Sequence, residues 1–388
     1  MEQQAGKTRV LLIYRRMIPS IRLCGHAQME QLAAEGKIEY RAVRGMRLKP
    51  ADLAWADVAL LGRLDSWYEL QITKKLKAAG KTLIYLMDDD LLNVPGEVTS
   101  ASYYNQACIQ RFIREMIRLS DGILSPSPRL LAKYAGGKLA LRTEEPALQP
   151  LPYAPHEPGM PVRIGFAGSV DRMGDLEEIL REALTQVKQK CGEKVEFQFF
   201  GAAPAFAEAL GARCVPYTES YDRYRETLNG LGWDIGLAPM PETEFHACKH
   251  YNKFTEYAAA GIAGIYSAVP PYDRLEAFPG CGVLCGNRAE EWAEAIRSLA
   301  EDREKREEIR RKASECARGP LDLSRVSDEL FRLLPQPRRG QALCRFGPLL
   351  PLKAVNILKR FHTSLRAHGA GGFLRMIAGR GLARIRGK

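Results

Sequence analysis

Residues 234–267 read DIGLAPMPETEFHACKHYNKFTEYAAAGIAGIYS and contain two short apolar runs around a helical stretch. The runs at 234–240 and 263–267 are continuous, as expected for strands that are buried on both faces of a parallel sheet. Between them, 250–260 is rich in alanine and is followed by Gly261, a residue that commonly ends helices. This order of strand, helix and strand predicts one unit of a parallel α/β sheet.

The same alternation extends along the chain to about residue 316. A first set of apolar runs predicts one sheet, at 9–14, 57–62, 81–87 and 122–125. A second set predicts another sheet, at 162–168, 195–201, 234–240, 263–267 and 281–285. Between the two sets, 148–161 contains five prolines and predicts a linker.

We therefore predict an α/β fold of two doubly wound, Rossmann-like domains, 1–155 and 156–335, that face each other across a cleft. The last helix of the second domain is placed so that it can cross back to the first. In such sheets ligands bind at the carboxyl ends of the strands, so the cleft is the expected site.

Composition narrows the class of protein. The chain has 388 residues, which exceeds what one hydrophobic core usually serves, and its 46% hydrophobic and 27% charged content is that of a soluble globular protein. We find no signal peptide and no run of ~18 apolar residues that could form a transmembrane helix. Nine scattered cysteines without CxxC spacing indicate reduced thiols and a cytoplasmic location.

The net charge of +11 has its source in the tail, 336–388, which contains twelve Arg and Lys and no Asp or Glu. Ala354, Leu358, Phe361 and Leu365 recur there at helical spacing beside basic residues. Basic amphipathic helices of this kind lie on anionic membranes, so we predict peripheral association with the inner face of a membrane. Nucleic acid is the alternative partner for these basic residues. Few aromatic residues for base stacking accompany them, so we do not expect the tail to bind nucleic acid. A third possibility is that the tail folds back on the body.

Two segments of the second domain carry candidate binding residues. Gly168, Ser169 and Arg172 follow the strand 162–168, in a glycine turn with Gly165, where backbone amides and a guanidinium would favour an anionic group. A purely structural turn is the alternative. At the start of the helix 250–260, Asn252, Lys253 and Glu256 precede the alanines, and Lys253 and Glu256 share one face. The alternative for that pair is a surface ion pair worth less than ~1 kcal/mol.

At this point the sequence resembles a known family. NKFTEYAAAGI followed by a strand and SAVPPY, together with IGFAGSV, DIGLAPM and, in the first domain, KTLIYLMDDDLLNVP, is similar to the retaining GT-B glycosyltransferases of family four, also called group 1. The resemblance covers roughly residues 8 to 335. It implies that Glu256 hydrogen-bonds the ribose of a sugar nucleotide, that Lys253, Gly168 and Arg172 lie near its diphosphate, and that the strand end near Tyr217 borders the base.

The family pattern also directs attention to the first domain. Asp88 and Asp89, in the run DDD at 88–90, stand where other members place a histidine beside the reacting sugar, and they would position the acceptor or stabilise developing positive charge. Loop solvation and helix capping are the alternative. Gly25 and His26 lie where the first loop turns into a helix, and Gly25 would let that loop approach the donor. His26 is a further catalytic candidate, and a purely structural residue at the start of the helix is the alternative. The resemblance implies no metal and no cofactor besides the donor.

One position departs from the family. Many members carry a second glutamate eight residues before the first, and here that position is Cys248. We predict transfer of a hexose from a nucleoside-diphosphate-sugar to a carbohydrate or lipid-linked acceptor, with retention, in bacterial polysaccharide or glycoconjugate synthesis. One alternative is a catalytically silent membrane scaffold or nucleotide-sugar sensor, which is supported by Cys248 in place of the usual acid. A second alternative is a sugar-nucleotide epimerase. The base, sugar, acceptor, linkage and oligomeric state do not follow from the sequence.

Overall fold

The structure is a computed structural model that describes residues 7–156, 161–335 and 346–359. Two compact units divide these residues. Unit 1 contains 25–142 together with the described residues before 18 and after 332, and unit 2 contains 18–24 and the described part of 143–332. Each unit has one parallel sheet, as predicted, but each sheet has six strands, where the sequence indicated four and five.

The strands of unit 1 follow the order β2-β1-β3-β4-β5-β6. Their bounds are β1 Arg9–Tyr14, β2 Glu39–Arg44, β3 Val58–Gly62, β4 Thr82–Leu86, β5 Gly122–Ser125 and β6 Leu139–Arg142. The central strands β3 and β4 are buried throughout, which matches their apolar sequences. The edge strands β2 and β6 are more exposed and carry charged residues, which protect an open sheet edge.

The strands of unit 2 follow the order β12-β11-β10-β7-β8-β9. Their bounds are β7 Val162–Gly168, β8 Val195–Gly201, β9 Arg213–Pro216, β10 Ile235–Ala238, β11 Ala263–Ser267 and β12 Val283–Cys285. The strand order reverses between β7 and β10, so the crevice that binds ligands in doubly wound sheets opens at the carboxyl ends of these two strands.

The α-helices of both units lie between the strands along the chain. In chain order, α1 to α15 are Pro19–Ile21, Ala27–Ala34, Pro50–Trp55, Trp67–Ala78, Ala101–Tyr104, Ala107–Leu119, Pro128–Tyr134, Met173–Asp175, Arg181–Cys191, Tyr221–Leu231, Glu244–Ala247, Asn252–Ala260, Ala289–Glu301, Arg303–Arg318 and Leu323–Leu333. Residues 350–359 form a further helix, here named the tail helix. None of the helices in the described residues is long and apolar enough to cross a membrane.

The division between the units falls at Arg142, earlier than the proline-rich segment. The backbone explains the difference, because Ala147 N–H donates to Leu321 O and Leu151 N–H donates to Ala259 O, which attaches the start of that segment to unit 2. Toward the C-terminus, the described residues from Leu333 onward belong to unit 1.

The core of unit 2 lies on both faces of its sheet. Phe199 packs in the cluster that includes α9 and α13, whereas its neighbour Phe200 packs in the cluster that includes α12 and α14. Helix α12 is thus covered by α14, and Arg310 Nε donates to Gly261 O at 2.6 Å. Gly261 ends α12 in a left-handed conformation, which confirms the helix end predicted from the sequence.

Candidate active site

The loop after β7 lies at the switch point of unit 2. Within it, Arg172 donates to the carbonyl oxygen of Pro239 just beyond β10, and its Nη1 lies 3.6 Å from Met240 Sδ. Its Nε pairs with Asp175 Oδ2 at 3.0 Å. The guanidinium therefore bridges the ends of the two strands that flank the crevice. Its predicted contact with a phosphate stays a prediction, and that contact would require some of these protein partners to be exchanged.

Gly168 and Gly201, here called the glycine floor, lie beside the crevice, where β7 and β8 end in register. Gly168 O accepts the N–H of Ala202 at 2.8 Å, and a Cβ on Gly201 would stand 2.2 Å from that same oxygen. Gly201 also has φ +93°, which favours glycine. Ser169 continues the turn, and its carbonyl accepts the N–H of Arg172 at 3.0 Å. The glycines therefore allow the ends of the two strands to pack closely together.

Gly165 does not belong to this turn, contrary to the sequence interpretation. It lies inside β7, paired with Gly236 of β10. A Cβ at this position would come within 2.0 Å of the Trp233 indole, so the glycine makes room for a core side chain. Only Gly168 of the two glycines lies at the strand end.

The first turn of α12 holds a three-membered polar cluster. Lys253 Nζ lies 2.5 Å from Glu256 Oε2 and 2.9 Å from Tyr224 OH, and Tyr224 OH donates to the same Glu256 oxygen at 2.8 Å. The side chains of Lys253 and Glu256 are only 19% and 6% exposed, so they do not form the surface ion pair considered as the alternative. Among the described residues no hydrogen bond reaches Glu256 Oε1. One carboxylate oxygen thus keeps its capacity to accept.

Tyr224 was not found from the sequence. Its ring stacks between Phe200 and Tyr221, with centroids 5.1 Å and 5.9 Å away. Burial, reinforced by the charge of Glu256, raises the pKa of Tyr224 well above its usual value, so the hydroxyl keeps its proton and donates. The signal that could have revealed it is the pair Tyr221 and Tyr224, one turn apart on a helix that is otherwise mostly polar and charged.

Two further predicted residues flank this cluster. Tyr217, just beyond β9, is 60% exposed, and its Cδ2 would be 3.4 Å from a Cβ on Gly201. An exposed ring beside the glycine floor is compatible with the predicted border of a base. Asn252 begins α12, and its carbonyl accepts the Thr255 hydroxyl at 2.9 Å. Within 7–156, 161–335 and 346–359, no hydrogen bond assigns the Asn252 side chain a role.

The ends of β10 and β11 are joined by a pair that the sequence did not reveal. Ser267 Oγ accepts Met240 N–H at 2.8 Å and donates to Asn287 Oδ1 at 2.6 Å. Asn287 Nδ2 returns to Met240 O at 2.9 Å. These bonds fix the backbone beside the crevice, on the side of β10 away from β7.

The carboxylates predicted at the end of β4 are all paired within unit 1. Asp88 Oδ2 lies 2.7 Å and Asp89 Oδ2 lies 3.4 Å from Arg63 Nη1. Asp90 is fully buried and accepts from Tyr134 OH at 2.5 Å, with Lys133 Nζ at 2.8 Å. Among the described residues, no group of three or more His, Cys, Asp or Glu could hold a metal ion.

The residues predicted in the first loop of unit 1 also have protein partners. His26 Nδ1 lies 2.8 Å from Tyr40 OH, and its Nε2 lies 3.4 Å from Glu30 Oε1. A Cβ on Gly25 would come within 2.9 Å of Leu86 Cδ1, so glycine here lets the backbone approach the end of β4. The proposed contacts of both residues with a ligand stay predictions.

Cys248, the departure from the family pattern, is buried at the end of α11. Its N–H donates to Glu244 O at 3.2 Å and to Phe245 O at 3.3 Å. The thiol therefore occupies the interior beside α11, and the acid expected from the family is replaced by a core residue.

Comparison with known proteins supports the fold. No family model and no curated protein matches the chain. Solved structures do resemble it, among them HepE of Anabaena in complex with UDP and glucose and an alpha-glucosyltransferase in complex with UDP and DNA. Each has a TM-score of 0.57 at 12% identity, and each match covers 84% of this chain and 99% of the other.

A third structure is a putative UDP-N-acetylglucosamine 2-epimerase of Listeria monocytogenes, with a TM-score of 0.52 at 12% identity over 86% of this chain and 99% of the other. The chain has the GT-B fold. At such identities the likeness shows the fold alone, because one fold supports many activities. The choice of reaction depends on the residues described above.

Proposed function

We propose that this protein is a glycosyltransferase that binds a nucleoside-diphosphate-sugar in unit 2. The observation that carries the proposal is Glu256, which is buried and held on Oε2 by Lys253 and Tyr224, while Oε1 receives no hydrogen bond from the residues that the structure describes. Two vicinal ribose hydroxyls could donate to such a carboxylate, and each hydrogen bond to a charged group is worth ~1.5 to 3 kcal/mol. The backbone amides of the turn after Gly168 would bind a diphosphate nearby.

The chemistry assigned to the other residues follows from their charge and position. Lys253 would neutralise the leaving diphosphate, with Arg172 as a second cation if its contact with Pro239 opens. Tyr224 would orient Glu256 by donating to it. Positioning of the donor would supply much of the rate. Transfer of a hexose with retention to a carbohydrate or a lipid-linked acceptor at the membrane is the finer part of the proposal.

Calorimetric titration tests the donor site. UDP comes first, because it is bound in two of the structures that resemble this chain, followed by GDP, ADP and dTDP. We expect one nucleotide to bind, and Glu256→Gln to weaken it by ~2 kcal/mol or more, the scale of a lost charged hydrogen-bond pair. Glu226→Gln is the matched control, because Glu226 is an exposed glutamate on α10. Equal affinities of the two variants, or no binding at millimolar nucleotide, would refute the proposed site.

An epimerase is the second candidate, and the resemblance to the Listeria structure is the observation that favours it. An epimerase would convert a nucleotide sugar without any acceptor. Incubation with UDP-N-acetylglucosamine alone, followed by chromatography of the sugar, separates the two functions. An isomerised sugar would replace the transferase proposal, and turnover that requires an acceptor would support it. Turnover of either kind would also exclude the hypothesis of a catalytically silent scaffold, which rests on Cys248 in place of the usual acid.

A further inference from the structure

The tail helix, 350–359, contacts unit 1 through its polar side. Lys353 Nζ donates to Leu48 O at 2.8 Å, and Lys359 Nζ lies 5.4 Å from the ring centroid of Trp67. Asn356 is 2% exposed and its Nδ2 lies 3.6 Å from Met46 Sδ. Polar side chains on one face of the helix therefore attach it to the protein.

The apolar side of the same helix points away from unit 1. Leu350, Ile357 and Leu358 are 74%, 60% and 71% exposed, and Val355 is 39% exposed. Half of the eight large hydrophobic residues that are exposed among the described residues lie in these ten positions. A helix that only covered the protein would place these side chains inward, because burying a leucine is worth ~1.5 to 3 kcal/mol. In the tail helix these four side chains instead face away from unit 1.

The chain around this face is strongly basic. Residues 360–388 contain seven Arg and Lys and no Asp or Glu, and in sequence Phe361 continues the helical spacing from Leu358. Phe361, Leu365 and the rest of the predicted stripe lie outside the described residues. An apolar face joined to a basic segment matches a surface that is apolar inside and negatively charged outside.

We propose that the exposed face formed by Leu350, Ile357 and Leu358 docks on an anionic phospholipid surface. The apolar side chains would enter the boundary between headgroups and acyl chains, and the basic residues would be attracted to the anionic headgroups. A second copy of the chain is a poorer occupant, because two equally basic segments would repel each other. The proposal goes beyond the donor site of unit 2 and does not depend on it.

Flotation of the full-length protein with vesicles tests this surface. We expect binding to vesicles of equal parts phosphatidylglycerol and phosphatidylcholine, little binding to phosphatidylcholine alone, and weaker binding at higher salt. The double variant Ile357→Glu with Leu358→Glu should bind at least about tenfold more weakly, because apolar contact is replaced by negative charge. Both side chains are exposed, so the fold should tolerate the change. Leu139→Glu is the matched control, since Leu139 is 48% exposed elsewhere on unit 1.

Three results would overturn the proposal. In the first, the wild-type protein binds neither kind of vesicle. In the second, the double variant binds as tightly as Leu139→Glu, which would mean that charge alone attracts the chain to the vesicles. In the third, light scattering shows a dimer of the wild type that the double variant abolishes, which would assign the face to a second copy. Calorimetry should show that the double variant binds nucleotide as the wild type does, so a loss of vesicle binding would not reflect damage to the donor site.

Discussion

Charged side chains gather beyond the strand ends of both units, but their hydrogen-bonding capacity is used differently. In unit 1, Asp88 and Asp89 share Arg63, and Asp90 is buried against Tyr134 and Lys133. In unit 2, Lys253 and Tyr224, the two polar partners of Glu256 in the described part of the chain, both contact a single oxygen of its carboxylate. We infer that a carboxylate whose contacts within the described residues converge on one oxygen is the better candidate for a binding site. Carboxylates that share a buried arginine are better candidates for a structural role.

The largest effect should come from Arg63, which has φ +50° and a side chain only 13% exposed. Arg63→Met would leave Asp88 buried without its cation, and breaking a buried pair in this way costs about 3 to 5 kcal/mol. The free energy of unfolding of unit 1, measured in urea, checks this value.

Two further variants control that experiment. Arg118→Met removes an exposed arginine from its pair with Glu115 on α6, and surface pairs of this kind contribute little to stability. The double variant Arg63→Met with Asp88→Asn should recover part of the loss, because the unpaired charge is gone. A cost for Arg63→Met no greater than that for Arg118→Met would show that the carboxylates of unit 1 are not held by this arginine.

Unit 2 also contains a cluster of buried ion pairs around His250, just before α12, and its pH dependence is the second largest expected effect. Buried His250 lies 3.2 Å from Glu144 and 3.3 Å from Glu145, and Arg274 lies 2.5 Å from Glu144. Burial alone would lower the pKa of His250, but the two carboxylates outweigh burial and raise it. Burial alone would raise the pKa of Glu144, but His250 and Arg274 hold it at about 2.

The signs of the two shifts differ. The pKa of His250 is raised by folding, so its contribution is complete below ~6.5 and is lost as the pH rises through the folded-state pKa. The pKa of Glu144 is lowered, so its contribution, about 2 to 3 kcal/mol, is complete above ~4.5 and is lost as the pH falls toward 2. Urea unfolding across pH should show both limbs, and His250→Gln should remove the alkaline limb. An unchanged alkaline limb in that variant would exclude His250 as its cause.

Tyr224→Phe sharpens the comparison at the binding site itself. The variant keeps the stacked ring but removes the hydroxyl that orients Glu256 and accepts from Lys253. We expect nucleotide affinity to fall by ~1 kcal/mol, the net worth of a typical hydrogen bond. Tyr221→Phe is the control on the same helix, and calorimetry is the measurement. Equal affinities of both variants would mean that Glu256 is oriented without Tyr224.

The central strands could be predicted because burial on both faces leaves continuous apolar runs. The edge strands β2 and β6 were missed because one side faces solvent, so EYRAVR and LALR carry charges that are also typical of loops. The edge strand β9, RCVP, was expected only through the family resemblance, which placed a strand end near Tyr217. Asp302 also divides the predicted helix 288–316 into α13 and α14, since its side chain accepts the N–H of Lys305 and caps the second helix.

The candidate site was predictable only in part. Lys253 and Glu256 are three residues apart on one helix, so local periodicity places them together. Tyr224 comes from another helix, and Ser267 meets Asn287 from another loop, so only tertiary structure brings these partners in. Gly165 and Gly168 look alike in sequence, and the Trp233 ring alone explains why one lies inside the strand.

The smallest effect is expected for Asp89→Asn, and this variant decides between the two interpretations of the run at 88–90. Asp89 is 24% exposed and its oxygen lies 3.4 Å from an arginine that keeps Asp88 at 2.7 Å, so we expect a loss of stability below ~1 kcal/mol. If its role is structural, the rate of donor hydrolysis should also change little. A fall in kcat of ~100-fold or more at unchanged stability and donor KM would instead place Asp89 at the reacting sugar, as a group that stabilises the transition state. Pairing of a carboxylate with an arginine would then no longer distinguish a structural cluster in unit 1 from the donor site in unit 2.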